Sequence, residues 1–137
     1  MRFALVNPQW RFEGSIYFGC KAEHLPLEFG YAKALLEHSG HEAEIFDANL
    51  EEWDENKLRS EVDAFAPDII VITSAPTYLF WRCPQPELRV PAQTRRLFRG
   101  IDAATVLVGP HASTTPRAAV KKTGVDAAVL GECEEVL

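Results

Sequence analysis

The sequence has 137 residues, 47% of them hydrophobic and 25% charged, with a formal net charge of −6. That length suits one domain with a single core, and the acidic balance argues against a general nucleic-acid surface. No apolar run approaches a membrane span, and the short apolar start is broken by Asn7–Pro8 before it could act as a signal peptide, so the cytoplasm is expected.

Phe3–Asn7 predicts the first strand, hydrophobic throughout and closed by Pro8. The segment from Gln9 to Leu25 then carries Trp10, Phe12, Tyr17 and Phe18 together with Gly14 and Gly19. Connections in compact domains usually run to about 4–6 residues, so this one reads as a surface loop pinned by aromatics or as a loop covering a ligand. Its aromatics and glycines, at the carboxyl end of a core strand, favour the ligand. Pro26 suits a first helical position, and Leu27, Tyr31 and Leu35 at i, i+4 and i+8 predict the buried face, with Ala34 and His38 beside them. Gly40 ends that helix, and His38 and His41 suit the negative end of its dipole better than a metal.

Glu42–Ala48 is the second predicted strand, ending in Asp47, an acid placed where a nucleotide-binding fold would meet a ribose hydroxyl. No glycine-rich G-x-G-x-x-G follows the first strand, so the dinucleotide reading lacks its main support. Leu58, Val62 and Phe65 mark a second helix that stops before Pro67, with Glu51, Glu52, Asp54 and Glu55 as a solvated acidic start. Asp68–Ser74 holds four consecutive branched apolar residues between Pro67 and Ala75–Pro76. Such a run predicts a strand buried on both faces, the centre of a parallel sheet.

Leu79, Phe80 and Trp81 follow, then Pro84, Pro86 and Pro91, and a third helix can start at Pro91. That helix carries Arg95, Arg96 and Arg99, with Arg82 and Arg89 upstream. This basic patch is a solvated face or a contact to a phosphate or another domain. Ala104–Val108 predicts the fourth strand, Thr115 can cap a helix opened by Pro116 and closed by Gly124, and Val125–Leu130 predicts the fifth strand. Glu132–Leu137 then looks like the first turn of a further helix, so a piece of a longer protein is expected. Cys20, Cys83 and Cys133 are odd in number and widely spaced, giving neither a disulfide framework nor a cluster motif.

Strands alternating with helices predict an α/β flavodoxin-like, doubly wound (Rossmann-like) fold, a five-stranded parallel sheet of order 2-1-3-4-5 over residues 1–137. The strand ends would then form one rim from Asn7–Pro8, Ser74–Tyr78, Gly109–Ser113 and Gly131–Glu134. A phosphate-accepting receiver needs an acid after strand three and a lysine after strand five, where this chain has Ser74 and Gly131–Glu132. A flavin carrier needs a phosphate loop after strand one, and Pro8–Gln9–Trp10–Arg11 is not one. No nucleophile stands beside a base and no metal-ligand spacing appears, so no catalytic or metal-ligating residue is assigned. Small residues let backbone approach a flat ligand, and hydroxyls and amides can bond its polar edge.

Asn7–Pro8, the loop Val71–Ile72–Thr73–Ser74–Ala75–Pro76–Thr77, Val108–Gly109–Pro110–His111–Ala112–Ser113–Thr114 and Gly131–Glu132–Cys133–Glu134–Glu135 together resemble one known family. It is the cobalamin-binding domain that precedes the catalytic barrel of cobalamin-dependent radical S-adenosylmethionine enzymes, and the resemblance covers essentially the whole chain. It implies a corrinoid over the carboxyl edge of the sheet, with its nucleotide tail inserted into the fold. Cofactor-binding positions on this reading are Asn7, Pro8, Trp10, Ser74, Ala75, Pro76, Thr77, Tyr78, Gly109, Pro110, His111, Ser113, Gly131 and Glu132.

Two departures stand out. The D-x-H-x-x-G of corrinoid methyltransferases, whose histidine ligates cobalt from below, is absent. Tyr78, Trp81 and Trp10 are the candidates for the lower face, with Tyr78 nearest the strand end. Pro110 also stands where a glycine is common and removes one amide donor. The resemblance implies a parent enzyme, a methylase, with a four-iron cluster and S-adenosylmethionine besides cobalamin. The C-x-x-x-C-x-x-C that would hold that cluster is absent here, so the chain alone is not expected to catalyse. A downstream catalytic domain is the implied partner. The alternative is a cofactor- or nucleotide-sensing interaction module of the same fold without a corrinoid.

Overall fold

A computed structural model describes residues 1–10, 26–76 and 88–137. Five strands form one parallel sheet in the order β2-β1-β3-β4-β5, the order expected from the sequence. They are β1 (Arg2–Asn7), β2 (Glu42–Asp47), β3 (Ile69–Thr73), β4 (Ala104–Val108) and β5 (Ala127–Ala128). The helices are α1 (Leu27–His38), α2 (Glu55–Phe65), α3 (Arg89–Leu97), α4 (Pro110–Thr114) and α5 (Pro116–Thr123), followed by a 3-10 turn at Cys133–Glu135. Strand β3 sits between β1 and β4, and Ile70, Val71 and Ile72 are fully buried. An unbroken apolar run is stable there because both faces are covered.

The core has two parts. Ala4, Val6, Phe46, Ile70, Ile72 and Leu107 pack under α2, α3, α4 and α5. Phe3, Leu5, Val71, Val108 and Val129 pack under α1 and Cys133.

Helix α1 departs from its expected orientation. Phe29, Ala32 and Leu36 are its buried residues, whereas Leu27 is 63% exposed, Tyr31 66% and Leu35 46%. Both sets repeat at helical spacing, so periodicity alone could not choose between them. The choice follows volume: Phe29, with Ala32 and Leu36 around it, fills the space above β1, and Lys33 beside them donates to the Ala43 carbonyl of β2.

Helix α2 buries Leu58, Val62 and Phe65 as expected and is capped by Asp54, whose Oδ1 accepts from Lys57 N at 2.7 Å. Helix α3 begins at Arg89, two residues before Pro91, which is buried within its first turn.

Beyond β4, the stretch Gly109–Ser113, expected on the rim, is largely helical, since Pro110 opens α4 directly at the strand end. Thr115 does not cap α5 with its side chain; its Oγ1 donates back to the His111 carbonyl at 3.4 Å. Strand β5, at Ala127–Ala128, is shorter than the expected Val125–Leu130; beside it Asp126 N donates to the Thr105 carbonyl at 2.9 Å, and the Asp126 carboxylate accepts from Thr105 N and Oγ1 at 2.7 and 2.6 Å. That bond set holds the Asp126 carboxyl below the usual aspartate range.

Candidate functional site

The carboxyl ends of β3, β4 and β5 meet on one rim, and the side-chain bonds of Ser74 and Ser113 tie them together. Ser74, only 1% exposed, accepts from His111 N at 3.2 Å and so joins β3 to the first turn of α4. Ser113 Oγ accepts from Gly131 N at 3.0 Å and donates to the Gly109 carbonyl at 3.1 Å, joining β4 to the end of β5. Thr73 Oγ1 donates to the Ala75 carbonyl at 2.8 Å and turns the chain away from the sheet. The amides and hydroxyls expected to meet a ligand are in large part bonded to one another, which makes the rim a rigid frame.

Gly109 is the tightest point of that frame. Its φ of +95° lies in the left-handed region, and a Cβ there would stand 2.9 Å from Ser74 Oγ. Only glycine lets β4 turn straight into α4 beside β3.

The frame borders a cavity of about 370 Å³ reaching from the rim to the first turn of α1. Glu28 of α1, Ala75, Gly109, Pro110 and Thr114 line it together with Ser113 and Gly131–Glu134. Its size falls in the range of ~300–1,000 Å³ usual for small-molecule pockets. Gly131, at φ +84°, has open space where a Cβ would project. Burial, with the Glu134 and Glu28 carboxylates nearby, pushes the Cys133 thiol up to about 12. Cys133 is therefore a protonated, apolar wall and not a thiolate at neutral pH.

The other expected site residues divide by position. Asn7, 3% exposed, ends β1; its Nδ2 donates to Asp47 Oδ1 at 2.8 Å and its Oδ1 accepts from Trp10 Nε1 at 2.8 Å. Asp47 Oδ1 also accepts from Leu50 N at 3.0 Å, so this acid braces the ends of β1 and β2, the place considered for a ribose contact. Pro8 lines a separate groove with Gln9, Trp53, Arg89 and Gln93, between α2 and α3. Pro76 follows Ala75 and is half-buried. Thr77, Tyr78 and Trp81 lie outside the described residues, as does most of the segment from Gln9 to Leu25.

Seven expected residues thus meet at one cavity or its frame: Ser74, Ala75, Gly109, Pro110, Ser113, Gly131 and Glu132. His111 joins them through its backbone. Glu28 and Thr114 were not among the expected rim residues; Cys133 and Glu134 were expected on the rim but not among the cofactor-binding positions. The signal for Glu28 is its place in the first turn of a helix packed beside the sheet, and that for Cys133 and Glu134 is the helical start after Gly131.

The model of the B12-binding domain family matches residues 20–137. The chain belongs to the B12-binding domain family. Cobalamin is therefore its cofactor. Two solved structures share the fold, both of the radical S-adenosylmethionine methyltransferase TsrM from Kitasatospora setae. One has cobalamin and a [4Fe-4S] cluster bound, with a TM-score of 0.70 and 23% identity over 93% of this chain and 23% of that one. The other has tryptophan substrate and a SAM analogue bound, with a TM-score of 0.75 and 23% identity over 98% of this chain and 24% of that one. This chain thus spans about a quarter of the length of those proteins. No curated protein matches it significantly.

The residues present fit a cobalamin. A flat ligand needs a rim without projecting side chains, and Gly109, Ala75 and Gly131 provide one. A nucleotide tail needs a mostly apolar slot leading off that rim, and the cavity beside Pro110, Ser113 and Cys133 has that form.

Proposed function

We propose that this B12-binding domain presents cobalamin to a radical S-adenosylmethionine catalytic domain carried downstream in a longer protein, for methyl transfer. The observation that carries this reading is the cavity at the ends of β3, β4 and β5, in a chain of this family. The tail would enter between Glu28 on α1 and the Gly131–Glu134 segment, and Ala75 and Gly109 would give the corrin edge a flat seat. Bound cobalamin supplies a cobalt centre able to carry a methyl group.

The chain's own residues hold and orient. The Ser74–His111 and Ser113–Gly131 bonds keep the three strand ends at fixed spacing, so the cofactor meets a preformed seat and little ordering is needed on binding. No D-x-H-x-x-G is present in the sequence, so no histidine of that motif would hold a bound cobalamin. Trp10, held by Asn7 at the end of β1, would border a cofactor seated on that side of the rim.

No helix among the described residues is long and apolar enough to cross a membrane. We place the protein in the cytoplasm, and the net charge of −6 gives no reason to assign a nucleic-acid partner. The parent protein, purified without oxygen, should carry both a corrinoid and a four-iron cluster and should consume S-adenosylmethionine when reduced. A parent protein with a bound corrinoid and no cluster would overturn the catalytic reading and leave a sensing module.

A further inference from the structure

The side chains around the cavity at the strand ends offer acceptors and hold back their donors. Among the described lining residues, both hydroxyls are committed to the backbone. Ser113 Oγ donates to the Gly109 carbonyl at 3.1 Å, and Thr114 Oγ1 donates to the Pro110 carbonyl at 2.8 Å. The Gly131 amide is taken by Ser113 at 3.0 Å, and Pro110 has no amide to give. The Cys133 thiol keeps its proton and donates it to the Glu134 carboxylate. Acids face this set from two elements. Glu28 lines the cavity from α1, and Glu132 and Glu134 line it from the segment after β5, with Glu28 and Glu134 half-buried. No lysine, arginine or histidine is among the described residues that line it. Burial, then the Glu134 and Glu28 carboxylates, raise the Cys133 thiol, so the field of both acids reaches the same wall.

We propose that this cavity takes the cobalamin tail as a cation, its dimethylbenzimidazole nitrogen protonated and held by Glu134 and Glu28, and so selects corrinoids whose lower base is basic. This rests on the cobalamin reading. In free cobalamin one ring nitrogen of that base is bonded to cobalt. Insertion of the tail into the cavity breaks that bond, and the nitrogen takes one proton from solvent while the carboxylates keep their charge. A neutral ring nitrogen is an acceptor and would meet acceptors on every side; a protonated one is a donor and finds them. A carboxylate has several acceptor sites, so Glu134 can serve the base as well as the Cys133 thiol. Burial opposes a cation and nearby carboxylates favour it, with more force where water is thinned out. Two half-buried acids against one cation put the balance on the charged side. A phenolic lower base has no nitrogen to protonate and gains nothing from either acid.

Titration of the full-length protein with methylcobalamin, whose upper ligand carries no titrating water, tests this across neutral pH. The corrin absorption spectrum reports loss of the cobalt–nitrogen bond, and calorimetry in two buffers of different ionisation enthalpy counts protons. A methyl corrinoid whose tail ends in p-cresol is the comparison. Methylcobalamin should bind with its base off cobalt, take up close to one proton, and lose about tenfold in affinity for each unit rise in pH. The cresol corrinoid should bind without proton uptake. Glu134→Gln combined with Glu28→Gln should weaken methylcobalamin about tenfold more than the cresol corrinoid and reduce the proton count. Base-off binding without proton uptake, or equal pH dependence for the two corrinoids, would overturn the inference and leave the cobalamin reading standing. Binding with the base still on cobalt would do the same. If neither corrinoid binds saturably, the cobalamin reading falls and takes the inference with it.

Discussion

Asp126 shows how one side chain reinforces the edge of the sheet. Its carboxylate takes both the N–H and the hydroxyl of Thr105, and its own N–H donates to the Thr105 carbonyl, so β4 and the start of β5 are joined by side chain and backbone together. The Thr105 hydroxyl and amide bonds hold its carboxyl below the ordinary aspartate value in the fold. A depressed acid stabilises the fold fully above its unfolded value of about 3.9, and that contribution is lost as pH falls through the lower folded value. Asp126→Asn should therefore lower the melting temperature at pH 7 and converge with the unaltered protein in strong acid. Equal losses at pH 7 and pH 3 in thermal melts would mean that the carboxylate charge is not the source. Ser74 and Ser113 act in the same way on the rim, spending their oxygens on neighbouring strand ends. Hydroxyls after a core strand were legible in the sequence as rim residues. Their bonds to one another were not, because those partners are 37 and 18 residues apart.

At the scale of the element, α1 separates what pattern can and cannot say. The sequence offers two helical stripes, Leu27–Tyr31–Leu35 and Phe29–Ala32–Leu36, and hydrophobic spacing fits both. Packing against β1 and β2 selects the second. Phe29→Ala should cost about 3–5 kcal/mol, the range for emptying a fully buried aromatic position. Tyr31→Ala should stay within about 0.5 kcal/mol, as exposed substitutions usually do. Chemical denaturation of both variants checks this, and comparable losses would return the helix to its other face. The helical turn directly after β4 was not read from the sequence for a related reason. Its first turn is braced by a tertiary partner, Ser74, against which local propensity is a weak guide.

Across the whole molecule the strand order, the central place of β3 and the gathering of β3, β4 and β5 ends followed from chain order and apolar runs, because parallel α/β topology leaves few alternatives. The cavity wall formed by Glu28, Cys133 and Glu134 needed the packed structure, since it joins the first helix to the last turn. The seat proposed for cobalamin is this rim, and Gly109 offers the sharpest handle on it. Its left-handed φ and the 2.9 Å approach of a Cβ to Ser74 make any larger residue displace the frame. The measurement is titration of the full-length protein with hydroxocobalamin, followed by the corrin absorption spectrum, for the unaltered chain and for Gly109→Val. A variant that keeps its melting temperature within a few degrees serves the comparison; Gly109→Ala replaces it otherwise. The prediction is saturable binding of one corrinoid per chain, weakened at least tenfold by the substitution. Absence of saturable binding, or equal binding by the folded variant, would contradict the placement of the cofactor on this rim.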